Sequence, residues 1–377
     1  MPNDIATLLP KLVARGLMAL RQEARMPRLV NRAYEDQPGK QFSTVTIPVP
    51  SAVTVQDVVP ANTPPSTADT ALTEVQLEVD QWKEAPFYLT DKEMTQIDAQ
   101  ENFLPMQASE AIKAIANTLD RAIWAEYVNF YGFAGTPGVT PFATDTSDYT
   151  DARRELNEQL APMDPRYMVI NTDAEANALN LRAFQDASFS GSIDGIVNGQ
   201  INNKLGARWM MSQNAPEHTQ GASGTPLIDF GAGYATGVKT VHMDGLTGRP
   251  IAGDHFTLAG DTTHYVVTAA TALVGTDSDV SFEPALAVAQ VDNAAVTFAG
   301  SYAVNLLFHP MAIALVTRPF DGADPFALGK FFSLTDPISG IALRLEVTRE
   351  HKRTRFAYDV LYGIKTVRRE LGVVLAG

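Results

Sequence analysis

Two stretches near the start of the chain alternate apolar and polar residues, and a long connection separates them. Over 42–49, Val45, Ile47 and Val49 share one side, and Thr44, Thr46 and Pro48 share the other. Over 73–80, Val75, Leu77 and Val79 oppose Glu74, Gln76, Glu78 and Asp80. A period of two predicts an antiparallel pair of strands, each with one face to cover. Pro48 suits an edge strand, because it has no N–H to donate to a second neighbour. The connection 50–72 carries Pro50, Pro60, Pro64 and Pro65 and no periodicity. A two-stranded hairpin is marginal in water. The expectation is therefore a hairpin over 41–82 that projects, stays exposed in the monomer and is ordered by a neighbouring chain.

Helical spacing appears twice. Residues 4–24 place Ile5, Leu8, Leu12, Val13, Leu17 and Leu20 on one stripe, and Pro10 puts the helix start near Leu9. This reads as an amphipathic arm that packs elsewhere. Residues 105–131 place Ile112, Ile115, Leu119, Ile123, Tyr127 and Phe130 at steps of three and four, with Pro105 at the start and Gly132 as the stop. That is a rod of roughly 40 Å.

The rest predicts a mixed, layered body. Residues 133–147 read as loop. A helix over 149–160, a strand over Tyr167–Asn171 and a helix capped by Thr172 with Glu175 follow. Residues 186–236 read as mostly loop. From 237 the texture turns to short strands: Lys239–Met243, His255–Leu258, Tyr265–Thr268, Val280–Phe282, Leu286–Val291 and Val296–Phe298, with a turn at Ala259-Gly260-Asp261. That spacing predicts a small barrel or sandwich. The chain returns over Leu306–Pro319. It closes in a hairpin, Ile341–Arg349 and Arg355–Val367, around Glu350-His351-Lys352-Arg353, with Phe356, Tyr358, Val360, Tyr362 and Ile364 alternating.

Composition bounds the chemistry. With 45% hydrophobic and 19% charged residues the chain folds. It has 43 acidic and 29 basic side chains, net −14, and its basic excess is confined to 1–40 and 344–377. An acidic body argues against a nucleic-acid groove over most of the chain, while basic ends suit acidic partners, neighbouring copies included. The absence of Cys excludes disulfides, thiolate metal sites and a thiol nucleophile. Asp4, Pro10, Lys11 and Arg15 interrupt any secretory signal core. The most apolar stretch, Ala303–Val316, is short for a membrane span and holds Asn305 and His309.

Catalytic motifs do not emerge. The six His form no HExxH pair. His242, His255 and His264 share the β-rich segment and read as packed or surface residues rather than metal ligands. Asp145, Asp148 and Asp151 are spaced by three, which suits a helix cap better than a calcium loop. Gly231–Gly237 is one residue longer than a dinucleotide fingerprint and reads as flexible linker. No catalytic, cofactor-binding or metal-binding residue is assigned.

The order of parts resembles a tailed-phage major capsid protein of the Hong-Kong-97-type fold, and more closely the P-twenty-two-like coat protein family. The likeness is carried by Leu246–Gly260, similar to that family's insertion-domain hairpin entry, and by Ile313–Pro319, similar to the strand after the insertion. Phe332–Asp336 and the run from Ile341 resemble the approach to the end. Tyr362–Gly377 resembles the family ending of Tyr-Gly, a basic-acidic step and Gly-Val-x-Leu-x-Gly. The insertion is shorter here than in the better-known members.

The resemblance implies an α+β phage capsid fold in seven segments. These are an N-terminal arm (1–40), an extended loop hairpin (41–86), a peripheral domain with a long spine helix (87–135), the first part of an axial domain (136–236), an inserted small β-barrel-like domain (237–300), an axial return strand (301–321) and a peripheral closing hairpin (322–377). It implies a virion protein, assembled in the host cytoplasm, that forms an icosahedral head around double-stranded DNA through pentamers and hexamers. A separate scaffolding protein and a portal are implied partners, with weak, non-specific DNA contact and no membrane. Arg25, Arg28 and Arg32, placed where the chain would leave its own subunit, and Val45, Ile47, Val75 and Leu77 on the hairpin are the expected assembly contacts. The alternatives are an encapsulin-like shell around protein cargo, and a two-domain α/β hydrolytic enzyme with a β accessory domain.

Overall fold

The computed structural model describes residues 25–34, 44–49, 73–93, 106–186, 197–199, 201–318, 329–335 and 341–377. The helix expected over 4–24 and the connection 50–72 lie outside these residues. The chain divides into two compact units.

In one unit, which takes Arg32–Ile115 and Ala314–Val367, strands Thr44–Val49 and Thr73–Glu78 pair antiparallel, from Thr44 opposite Glu78 to Val49 opposite Thr73. The alternation is what sequence predicts: Val45, Ile47, Leu77 and Val79 are buried and Val75 half-buried, while Thr44, Thr46, Glu74, Gln76 and Glu78 are exposed. The larger sheet of this unit is built around one long strand, Arg353–Thr366. Ile313–Arg318, Ala342–Glu350 and Gly329–Thr335 follow in the order Ile313–Arg318, Arg353–Thr366, Ala342–Glu350, Gly329–Thr335, and Gln81–Thr90 also pairs with the long strand. The expected alternation along that strand is not seen as burial. Every residue from Phe356 to Gly363 is buried, because elements cover both faces. Phe87 and Phe356 sit in register and stack with ring centroids 5.2 Å apart.

In the other unit, Leu20–Asn31, Ala116–Ile313 and Arg368–Gly377, two sheets form. The first has seven strands. Gly132–Gly135, Gly372–Ala376, Tyr302–Phe308, Tyr167–Ile170, Ala207–Met211 and Asn203–Lys204 lie in that order, and Glu217–His218 adds to Tyr302–Phe308. Two of its pairings are parallel and the others antiparallel. Helices Ser147–Glu158 and Thr172–Asn180 belong to the same unit.

The second sheet is wholly antiparallel. Its order is Val296–Phe298, His255–Leu258, Tyr265–Ala270, Ser278–Glu283, Thr240–Gly248, Ser223–Ile228. Its two ends meet: Ile228 N–H donates to the Ala294 carbonyl at 2.9 Å, and Asn293 N–H to the Ile228 carbonyl at 2.7 Å. The sheet thus closes around a core that includes Ile228, Val241, Met243, Phe256, Tyr265 and Phe282.

Several boundaries differ from the expectations, each for a local reason. The long helix runs Met106–Trp124 and tightens into a 3-10 turn over Ala125–Asn129. Gly132 is not its stop; it opens a strand. A side-chain carbon there would meet the Val373 side chain at 2.4 Å, so the glycine permits a close strand approach. The cap of Thr172–Asn180 is Asn171, not Thr172: the Asn171 side chain accepts the Ala174 N–H at 2.8 Å. The 186–236 segment is mostly loop among its described residues, as expected, but it also contributes four strands there. Ser223–Ile228, ahead of the expected start at 237, is an edge of the closed sheet. Leu286–Val291 is not a strand. It is tied instead to Gly231–Gly237 by Gly237 N–H to the Leu286 carbonyl and Tyr234 N–H to the Gln290 carbonyl, both 2.8 Å, so that glycine-rich stretch is part of the β unit and not a linker.

Candidate functional site

The hairpin face expected to wait for a neighbour is already covered at its base. Val45, Ile47, Leu77 and Val79 pack on Ala314, Val316 and Leu361 of their own chain, and Val75 joins the edge of that cluster. Each fully buried aliphatic side chain of this kind stabilises by about 1.5–3 kcal/mol. The expectation of a face exposed in the monomer is therefore corrected: Val45, Ile47 and Leu77 are core residues of the subunit. Gly363 makes the docking possible. A side-chain carbon on it would lie 2.3 Å from the Glu78 carbonyl oxygen and 2.7 Å from the Leu77 side chain.

Two of the arginines meant to mark the chain's exit, Arg25 and Arg32, are tied to their own subunit. Arg25 donates to the Met211 carbonyl at 2.9 Å, and Arg32 reaches the Thr317 hydroxyl at 3.5 Å. Arg28 is exposed on the 3-10 turn Met26–Arg28, between the buried Pro27 and Leu29. Beneath this segment Asp120, 1% exposed on the long helix, accepts the Met26 N–H at 2.9 Å, the Asn214 amide at 3.0 Å and the Ser212 hydroxyl at 3.3 Å. Ser212 in turn accepts the Trp124 indole N–H at 3.2 Å. Asp120 is a structural anchor that periodicity alone does not reveal, since a lone acidic residue on a helix reads as solvated.

Charge pairs lie on and beside strand Gln81–Thr90 and the long strand that it joins. Arg355 holds Glu84 at 2.9 Å, Arg349 holds Asp91, and Arg353 bonds Glu350 at 2.6 Å while its guanidinium lies 4.5 Å from the Tyr88 ring centroid. Trp82 and Tyr88 remain 50% and 43% exposed on this surface. Exposed pairs of this sort fix register more than they stabilise.

The histidines fall into two groups. His242 is at the surface, bonded to Asp279 at 2.7 Å, and that bond raises its proton affinity. His255 and His264 converge with His218, which sequence reasoning had not grouped with them. Phe133 stacks on His255 at 4.3 Å and tilts against His264 at 5.3 Å. His218 bridges the Tyr127 hydroxyl at 2.7 Å and Asp254 at 2.8 Å, and Asp254 also accepts backbone N–H groups of Gly221, Ala222 and Ile251. The chain Tyr127–His218–Asp254 has the order of a proton relay but the electrostatics of a core. Burial pushes the Tyr127 hydroxyl up to about 12, away from nucleophilic character. No group of three or more His, Asp or Glu suited to a metal occurs among the described residues. Asp145 accepts the Ser147 N–H and Asp148 the Phe142 N–H, both at 2.8 Å, and Asp151 pairs with Arg154. No helix among these residues is long and apolar enough to cross a membrane.

Comparison with known proteins completes the picture. No curated protein matches the chain. Among solved structures, a chain of Mycobacterium phage Che8 superposes with a TM-score of 0.52 at 19% identity, over 93% of this chain and 90% of that one. The capsid of the cyanophage P-SCSP1u superposes with a TM-score of 0.52 at 12% identity, over 94% and 88%. Both likenesses concern the fold. The family model for phage capsid protein matches residues 73–274, from the second hairpin strand into the closed sheet. With more than half of its length so matched, the chain belongs to the phage capsid protein family and is a structural major capsid protein of the virion.

Proposed function

We propose that this protein is the repeating subunit of a tailed-phage head of the Hong-Kong-97 type, assembled in the host cytoplasm from pentamers and hexamers around double-stranded DNA. The hairpin Thr44–Glu78 then forms the base of the extended loop, Met106–Trp124 the spine helix, and the closed sheet an inserted β domain. One observation carries this reading. The hairpin's apolar base is locked to its own chain while Val49 and Thr73 end the pairing, so the connection 50–72 departs from an anchored support. An anchored base with a long tip is the mechanical requirement for gripping a neighbour. The basic stretch Arg25, Arg28 and Arg32 is assigned to acidic faces of adjacent copies, and a scaffolding protein and a portal are assigned as partners. DNA contact is weak and non-specific, as an acidic body requires.

Negative-stain microscopy and sedimentation of the purified protein test this. Megadalton closed shells are expected from the parent. Deletion of 50–72 should leave folded subunits that do not close shells. Normal particles from the deletion, or only small oligomers from the parent together with its scaffolding partner, would overturn the reading.

A further inference from the structure

Arg153, Arg166 and Arg208 meet at one end of the parallel strand pair Tyr167–Ile170 and Ala207–Met211. Tyr167 lies opposite Arg208 in the register. The Arg208 N–H donates to the Arg166 carbonyl at 2.9 Å, so the two arginines are held side by side. Gly206, at φ +82°, makes the tight turn from Asn203–Lys204 into Ala207–Met211. A side-chain carbon built on it would come within 3.5 Å of the Arg153 guanidinium, which places Arg153 over the same turn. Beside this turn is a cleft of about 400 Å3 lined by Asp164, Arg166, Asn203, Gly206 and Arg208, among others, with Arg153 outside the lining.

None of these arginines holds a carboxylate among the described residues, a trait they share with Arg25 and Arg249, which also donate to carbonyls. Elsewhere in the chain Arg344, Arg349, Arg353, Arg355 and Arg154 each hold a carboxylate. Arg153 donates instead to the Leu205 carbonyl at 2.8 Å, and Arg166 to the Pro162 and Ala161 carbonyls, both at 2.8 Å. Arg208 is exposed and makes no side-chain hydrogen bond among the described residues. Asp164 lines the cleft without an ion pair to any of the three among those residues. Arg166 is only 3% exposed. Burial, with the Arg153 charge adding to it, lowers its hold on its proton. Carbonyls orient the Arg153 and Arg166 guanidinium groups without neutralising them. In a chain of net charge −14 that is a deliberate concentration of positive charge.

We propose that this cleft is a phosphate-binding site. One guanidinium fork satisfies the two oxygens of a carboxylate. Two arginines that line the cleft, with a third over the turn at its edge, match a group with up to four oxygens and more than one negative charge. The site does not depend on shell formation, so its failure and the failure of the capsid reading are separate observations.

Titration calorimetry of the purified chain with sodium phosphate, with ionic strength held by chloride, should show saturable binding. Arg208→Gln should weaken it by about tenfold or more at an unchanged melting temperature. Arg153→Gln should act in the same direction. Arg154→Gln, on the same helix but paired with Glu158 at 3.4 Å, should leave it unchanged. A short DNA duplex that binds the parent and is displaced by phosphate, but does not bind Arg208→Gln, identifies the source as a nucleic-acid backbone. Phosphate binding without duplex binding identifies it as a free phosphate or mononucleotide. Both outcomes support the site. Lack of saturable phosphate binding, acetate binding as tightly as phosphate, or parent-like affinity in both Arg208→Gln and Arg153→Gln would overturn it.

Discussion

Arg344 and Asp359 face each other across adjacent strands, and the Arg344 Nε lies 3.0 and 2.9 Å from the two Asp359 oxygens. Asp359 also accepts the Trp82 indole N–H at 3.1 Å, so one buried carboxylate ties the long strand to both of its neighbours. Burial raises the Asp359 proton affinity, and the bond from Arg344 opposes that rise.

Removing the cation should expose how expensive that carboxylate is. Arg344→Met should cost about 3–5 kcal/mol, because it leaves a buried charge unpaired, and adding Asp359→Leu should recover most of the loss. A carboxyl whose folded proton affinity is raised stabilises fully below its unfolded pKa, and that contribution is lost as pH rises through the folded value. Arg344→Met should therefore be weakest at neutral pH and regain stability on acidification. Urea unfolding of parent and variant at pH 7 and pH 5 checks the sign.

Docking of the hairpin base depends on the missing side chain at Gly363. Gly363→Val should force the strands apart and cost about 1–3 kcal/mol by overpacking. Hydrogen exchange should then speed up at Thr44–Val49 and Thr73–Glu78. Amides in the Ala342–Glu350 pairing should keep their protection. Equal loss across both would show that the base does not dock as a separate step.

Asp120 holds a chain segment and a loop at once. Asp120→Ala strands the Met26 N–H and frees Asn214, a loss of about 1–3 kcal/mol for the unsatisfied group. Limited proteolysis with trypsin should cut at Arg25 or Arg28 much faster in the variant. Asp120→Asn, which keeps an acceptor for Met26, should fall between the two.

His255 is fully buried, and neither ring nitrogen has a hydrogen-bond partner among the described residues. Burial first, then the charges of His264 and His218, lower its proton affinity well below the usual value of 6.5. The unfolded chain therefore takes up the proton first. The stability that neutral His255 confers is present above about pH 6.5 and is lost on acidification, at up to about 1.4 kcal/mol per pH unit. His264 and His309 are lowered too and act in the same direction. Denaturant unfolding between pH 7 and pH 5 should show a shallower fall for His255→Leu than for the parent.

How legible each part was depends on the range of the interaction that shapes it. The faces of Thr44–Val49 and Thr73–Glu78 follow from local alternation, and so does the buried stripe Ile112, Ile115, Leu119 and Ile123. What covers those faces is long-range. Nothing near residue 45 announces Ala314, Val316 or Leu361, so the hairpin read as lacking a core of its own. Ser223–Ile228 read as loop because Gly224 and Pro226 suppress strand propensity, yet its closure against Ala294 overrides that. Asn171 beat Thr172 as cap by one residue, a margin that capping preferences do not resolve. The cleft arginines were invisible for the same reason as the hairpin's partners: parallel pairing of Tyr167–Ile170 with Ala207–Met211 joins residues far apart in sequence.

Gly372–Ala376 is buried throughout and lies between Gly132–Gly135 and Tyr302–Phe308. During synthesis those two flanking strands leave the ribosome long before the strand that separates them. A nascent chain that has reached only residue 371 therefore holds two open, apolar strand edges with nothing to place between them, a state prone to pair with other chains. Completing the seven-stranded sheet is in this sense a timing signal: until residues 372–376 arrive, premature association by this sheet and correct folding of it compete for the same two edges.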